Sequence, residues 1–476
     1  MPWLNLLSLV GMAGLCGIAW LGSENRRVIP WKLILWGVGL QLVLGLLVFW
    51  VPFTRSAVLL VNDGMNAILD STEAGARFIF GSALVPDRAS APGPILAGRW
   101  IARAITPSYV PVAGDRLNPD NFNIGYVFAF RALPSVIFFS ALMSLGYALG
   151  LIQPIVNLFA RLFRRTMNLS GAEALSGAAN IFVGIEATLV VRPYLAEMTR
   201  SELCAILASC FGSIASTVLA LYTGFLRPVF PAITGHLVSA SIMAIPACFV
   251  MSKLLVPETE EPKTLGRVVE EPESAAEPEA AWIKPVESLV AGAMDGAKLA
   301  VAIAALLITV LGLVALVNLF FGNLASLASS KNVVIQAIGQ VFQVVNLQNL
   351  VAALFLPLTF LTGVSLNWPE LWLASQLLGQ RLLQTEVPSY LQLATLAAEG
   401  RISDRTLLVV SYSLCGFAHL ASVGIFVGGL IGLVPSRRTD IISISWKALW
   451  AATLATLMIG CVAGLYDVGN PSVLGK

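Results

Sequence analysis

Residues 170–195, SGAEALSGAANIFVGIEATLVVRPYL, are apolar enough for a bilayer but too interrupted to form a plain spanning helix. Small residues alternate with polar groups, Asn180 and Glu186 among them, and Pro193 closes the run. Broken backbone survives at membrane depth only where protein or a cavity satisfies its polar groups, so the stretch predicts a re-entrant hairpin over 170–200.

The composition around it fits a membrane protein. Of 476 residues, 57% are apolar and 12% charged, against about 25% charged in soluble domains. That is too little charge to cover a water-facing surface. A formal net charge of +2, with no basic patch interleaved with aromatics, excludes a nucleic-acid partner. The six cysteines form no C-x-x-C pair and read as small core residues, and two histidines, His236 and His419, cannot build a His-rich metal site. No H-E-x-x-H, G-x-S-x-G or Walker loop is present, which argues against an enzyme, an organic cofactor and an ATP-driven pump. Secondary transport fits what remains.

The chain reads as an all-α polytopic membrane protein with about eight transmembrane helices and two opposed re-entrant hairpins in an inverted repeat. Residues 1–150 are expected to form N-terminal scaffold helices (spans at 1–22, 33–51 and 127–150) and an outer interfacial segment over 54–122. The basic residues after the first span, Arg26, Arg27 and Lys32, place that loop in the cytoplasm and both termini outside. A first transport half, 151–256, holds an interfacial helix, hairpin 1 and spans at 202–225 and 233–255. Residues 257–285 carry eight glutamates, three basic residues and five prolines and predict a disordered cytoplasmic linker. A scaffold span lies within 286–330. The second transport half, 331–476, holds an interfacial helix, hairpin 2 over 368–395, and spans at 407–434 and 449–465. Phe211-Gly-Ser-Ile-Ala-Ser216 aligns without gaps to Phe417-Ala-His-Leu-Ala-Ser422, and each segment follows a hairpin holding one glutamate, Glu186 or Glu386.

A glutamate at membrane depth costs on the order of 3 kcal/mol, which makes Glu186 and Glu386 the first site candidates; the bland reading is that each pins a neighbouring backbone. Asn180 and Ser213, with carbonyls of Val183, Ser213 and Ile214, offer the neutral oxygens a sodium ion needs, although Asn and Ser also bond across helices without any ion. His419 is either a packing residue, a substrate contact or a pH sensor, since an imidazole titrates near neutrality.

At these residues the chain resembles the concentrative nucleoside transporter family. FAFRALPSVIFFSALM, SGAEALSGAANIFVG, VRPYLAEMTRSEL, GAMDGAKLA, YSLCGFAHLASVGI and LVPSRRTD look like the family's motifs, and the likeness covers most of the chain. The resemblance implies a homotrimer in a plasma membrane (the bacterial inner membrane), surrounded by lipid. Each protomer would have a scaffold and an elevator-like transport domain carrying a nucleoside with Na+, or H+ in some members. It implies that Glu186 faces the nucleobase, that Glu386 and Ser422 hold the ribose, and that Asn180, Val183, Ser213 and Ile214 bind Na+. Three departures bear on the substrate. The first hairpin tip is Gly184-Ile185-Glu186 where the family has Gly-Gln-Thr-Glu, and the second is Thr385-Glu386-Val387 where it has Asn-Glu-Phe. His419 stands in place of a ribose-contacting Asn. The implied base pocket, beside Ile185, is therefore more apolar, with relaxed discrimination. A transporter of another polar solute, or a non-transporting receptor on the same fold, are the alternatives.

Overall fold

A computed structural model of the chain describes residues 2–81, 84–85, 127–266 and 284–475; the remainder of the expected interfacial segment and residues 267–283 of the expected linker lie outside the described residues. Regular structure among the described residues is helical. The first half runs α1 (Pro2–Leu21), α2 (Trp31–Phe49), α3 (Pro52–Phe80), α4 (Phe128–Ala148), α5 (Gln153–Met167), α6 (Gly171–Ala179), α7 (Arg200–Gly212), α8 (Ser216–Leu226) and α9 (Ile233–Leu255). The second runs α10 (Lys284–Ser326), α11 (Val333–Val344), α12 (Leu347–Leu361), α13 (Trp368–Gln384), α14 (Glu386–Ala398), α15 (Asp404–Ser413), α16 (Leu420–Leu433), α17 (Arg438–Tyr466) and the short α18 (Pro471–Leu474).

Seven helices among the described residues are long and apolar enough to cross a bilayer, and eight if α11 and α12, bent by 55°, count as one span. Burial separates them. The Arg200–Leu226, Ile233–Leu255 and Pro435–Tyr466 segments are 89% buried, α2 and α4 28%, and the span containing α10 only 11%. The inner three form the core, and α10 lies along α4 at its edge. The expected N-terminal scaffold divides here: α1 and α2 pack on α17 and α9 of the core, while α4 pairs with α10. Among its described residues, the region expected to be interfacial opens with one 29-residue helix, α3.

Three boundaries differ from the sequence reading. The span expected at 407–434 is two helices, α15 and α16, separated by residues 414–419, and the span expected at 202–225 is likewise broken between α7 and α8. The last span begins at Arg438 rather than near 449, because its polar first turns extend the helix beyond the apolar stretch. The first ten linker residues, 257–266, are not disordered: Glu258 and Thr264 bind the base of hairpin 1.

α1 serves as a ruler for the inverted repeat, since 20 helical residues reach about 30 Å. At its end, Glu24 pairs with Arg200, beside the base of hairpin 1, and with Lys447. Hydrogen bonding from Arg200 pulls the Glu24 carboxyl below its ordinary range, against a smaller opposing effect of burial. At its start, Asn5 accepts from Arg405 at 2.9 Å, and Arg405 also donates to Gly363 O at 2.9 Å, beside the base of hairpin 2. Hairpin 1 and hairpin 2 therefore enter from opposite ends of the same helix. Each base is locked by caps. Ser170/Glu173 and Thr199/Glu202 are reciprocal capping boxes, and Glu370 joins Ser365 Oγ to Ser403 N.

Lys253 holds hairpin 1 most tightly. Its Nζ lies 2.6 Å from Glu173 and 3.0 Å from Glu258, with the Lys253 and Glu173 side chains 5% and 1% exposed. Lys253→Met strands a buried carboxylate and is expected to destabilise the protein by about 3 kcal/mol, read as a fall in thermal midpoint in detergent. Lys253→Met with Glu173→Gln, which keeps a capping-box side chain and removes the bare charge, should recover most of the loss. Equal midpoints for the single variant and the parent would contradict the assignment.

Candidate functional site

The two broken helices meet at their breaks. Gly416, at φ +149°, lies so close to the other break that a Cβ there would fall 2.8 Å from Gly212 O, and a Cβ on Gly212 would fall 2.2 Å from Cys248 Sγ. Only glycine permits this approach. The helices restart at Ser216 and Leu420, two positions out of step with the six-residue sequence alignment.

Hairpin 2 turns at Thr385, a β-branched residue held at φ +81°. Such residues rarely adopt this conformation, and where they do it marks a constrained functional site. Its Oγ1 is buried with no hydrogen-bond partner. The next residue, Glu386, is 2% exposed; Tyr222 of α8 donates to Oε1 at 2.6 Å, and His419 Nε2 stands 3.2 Å from Oε2. Oε2 has no further partner among the described residues. Thr385 Oγ1 and Glu386 Oε2 thus keep acceptor capacity, buried at one hairpin tip.

His419 is the N-cap of α16: Nδ1 accepts from Ser422 N–H at 3.1 Å. With Nδ1 accepting, Nε2 is the ring donor and faces Glu386. Asparagine is also a good N-cap acceptor, so an Asn at position 419 would keep this bond. Ser422 Oγ donates to the carbonyls of Phe417 and His419, which leaves its lone pairs as its offering to a ligand.

These groups line a cavity of about 140 Å³ together with Gly184 and Ala215, and Leu299, Ile303 and Leu307 of α10 form its apolar wall. Ligand pockets generally start near 300 Å³, so the tips must part to admit a larger solute. The turn Ile185–Thr188 follows Gly184 directly. The side chains of Ile185 and Glu186 lie outside the described residues, so the expected convergence of two glutamates stands for Glu386 alone.

The expected ion ligands come together beside this cavity. Asn180, 0% exposed, ends α6 with both side-chain polar atoms unpartnered. Ser241 of α9 reaches Ile181 O and Ile214 O at 3.4 Å each, and Ser216 N donates to Phe182 O, which joins the Asn180–Val183 turn to the Ser213–Ile214 break. Ser213 Oγ donates to Ser209 O and so turns lone pairs outward. Sequence reasoning missed Tyr222 and Ser241. A tyrosine inside an apolar span is a signal in itself, because its buried hydroxyl needs a partner.

Comparison with known proteins gives the family. The model described as "Na+ dependent nucleoside transporter C-terminus" matches residues 236–464, its N-terminal counterpart residues 10–83, and "Nucleoside recognition" residues 129–229. Over 97% of its length the chain is 32% identical to an uncharacterized transporter of Haemophilus influenzae, of which it covers 97%. The chain belongs to the concentrative nucleoside transporter family. It is also 29% identical to the nucleoside permease NupC of Helicobacter pylori over 97% of this chain and 98% of that one. Sodium/nucleoside cotransporter 1 of Mus musculus is 33% identical over 97% of this chain, which spans 64% of the mouse protein. Among solved structures, CNTnw in an inward-facing substrate-bound state matches with a TM-score of 0.78 at 31% identity, covering 97% of this chain and 98% of that one. A substituted CNTnw in an outward-facing state matches at TM-score 0.79 and 30% identity, covering 97% of each chain. The protein is a multi-pass plasma-membrane transporter and not an enzyme.

Glu386→Gln keeps the shape and removes the charge. It should weaken solute binding by about 1.5–3 kcal/mol, roughly ten- to hundredfold, measured as Kd in detergent by isothermal titration. An unchanged Kd would remove Glu386 from the site. His419→Asn should leave stability and binding close to the parent, whereas His419→Ala loses about 1 kcal/mol of cap.

Proposed function

We propose that the protein takes a nucleoside into the cell by secondary active transport, coupled to a cation and with Na+ as the preferred ion. The carrying observation is the pair of buried acceptors with lone pairs to spare, Glu386 Oε2 beside His419 and Thr385 Oγ1, at a hairpin tip facing an apolar wall. A carboxylate accepts strongly from vicinal hydroxyls, and the apolar wall suits the face of a base. In this reading Glu386, Thr385, His419 and Ser422 hold the ribose, and Ile185 and Glu186 meet the base. The names of the relatives, sodium/nucleoside cotransporters and a nucleoside permease, support the substrate class.

Sodium is the cosubstrate. Asn180 Oδ1, Ser213 and the carbonyls of Val183, Ser213 and Ile214 bind it, and the buried, unpartnered Asn180 amide supports that assignment. Because the Asn180–Val183 turn leads into the hairpin 1 tip, an ion there orders the tip against the solute, and binding of the two is reciprocal. The reading includes a homotrimer and an elevator-like displacement of the core against α4 and α10; the mostly exposed apolar surface of α10 supports an outer contact there.

Proteoliposomes loaded in sodium-free buffer and given an inward sodium gradient should accumulate labelled nucleosides, tested as uridine, cytidine, adenosine and inosine. Asn180→Leu should abolish the sodium requirement together with accumulation. Failure of every nucleoside to enter or compete would point to another polar solute, and binding without accumulation to a receptor. Uptake indifferent to sodium and stopped by a protonophore would assign the proton as the coupling ion.

A further inference from the structure

Arg381 is the largest fully buried side chain among the described residues. It lies in the last turn of α13, 0% exposed, in a protein that is otherwise short of charge. Among the described residues no carboxylate comes within ion-pair distance of it. Nη1 donates to Ser413 O at 2.6 Å and to Thr456 Oγ1 at 2.9 Å, while Nε and Nη2 have no partner. A charged residue at membrane depth with no carboxylate in contact is a functional candidate.

Its surroundings repeat those of Asn180. In the first half, the end of the first hairpin arm (Asn180) faces the break between α7 and α8, with a hydroxyl, Ser241, supplied by the next long helix, α9. In the second, the end of the first hairpin arm (Arg381) faces the break between α15 and α16, with a hydroxyl, Thr456, supplied by the next long helix, α17. The breaks themselves touch at Gly212 and Gly416. A freed carbonyl and a hydroxyl are what a small cation seeks. In the first half they stand beside an uncharged amide. In the second they receive a guanidinium.

We propose that Arg381 is a built-in cation occupying, in the second half of the repeat, the position that the sodium ion takes in the first. The proposal rests on the sodium reading above. A fixed charge there satisfies the broken backbone of α15, offsets the Glu386 carboxylate five positions along the same hairpin, and leaves one mobile cation per cycle. Arg381 is a positioning residue: it acts on hairpin 2 and the break, not on the solute.

The test is the sodium dependence of nucleoside uptake in proteoliposomes for the parent, Arg381→Lys and Arg381→Ala, using whichever of labelled uridine or adenosine the parent accumulates. The parent and Arg381→Lys should show a Hill coefficient of about one, with uptake rates within about threefold. Arg381→Ala exposes Ser413 O and Thr456 Oγ1 and should lose uptake at least about tenfold at the parent's half-saturating sodium. It should regain uptake at high sodium with a Hill coefficient of about two, as a second ion fills the gap. A parent-like slope and half-saturation in Arg381→Ala overturns the proposal, as does an Arg381→Lys variant no better than Arg381→Ala. If Arg381→Ala alone does not fold, Arg381→Ala with Thr456→Lys returns a cation from α17; recovery with a slope of about one supports the proposal and failure overturns it. Absence of any sodium dependence in the parent overturns the sodium reading as well, whereas a retained slope in Arg381→Ala sinks only this proposal.

Discussion

Lipid supplies no hydrogen bonds, so each backbone group freed inside the bilayer has to be met by the protein or by what it carries. Two helices of this chain are broken, and the breaks press against each other where Gly212 and Gly416 allow the backbones to touch. The rest of the inner structure follows from settling that account. Ser241 and Ser216 tie one break to hairpin 1, Arg381 and Thr456 tie the other to hairpin 2, and His419 caps the helix that restarts after it. Among the buried polar groups left with acceptor capacity are those of Asn180, Thr385 and Glu386, the proposed ion and solute contacts.

The two halves settle it with different chemistry. A neutral amide, Asn180, stands in one half and a guanidinium, Arg381, in the other. The proposed sodium response of one hairpin and fixed charge of the other rest on this asymmetry inside a symmetric frame. The capped bases of the two hairpins are anchored at opposite ends of α1.

Much of this was legible in the sequence because small and polar residues inside apolar runs have few physical explanations. The hairpins, the glutamate at the second tip and the polar break near Ser213 all announce themselves this way. Other features were not, because they depend on distant partners. Nothing local says that Tyr222 reaches Glu386, or that Lys253 draws Glu258 out of a glutamate-rich stretch that composition alone reads as disordered. α1 and α2 are apolar on all sides, so no face betrays that they pack on the core rather than on α4. The bond from Ser422 N–H to His419 Nδ1 was not legible either, because it depends on where the helix restarts after the break.

The central claim is that the unpartnered oxygens at the hairpin 2 tip receive a nucleoside's ribose. A structure determined with a bound nucleoside in sodium tests it most directly. The account predicts ribose hydroxyls within hydrogen-bond distance of Glu386 Oε2, with Tyr222 still donating to Oε1. A nucleoside seated elsewhere, with Glu386 Oε2 still unpartnered, would contradict it.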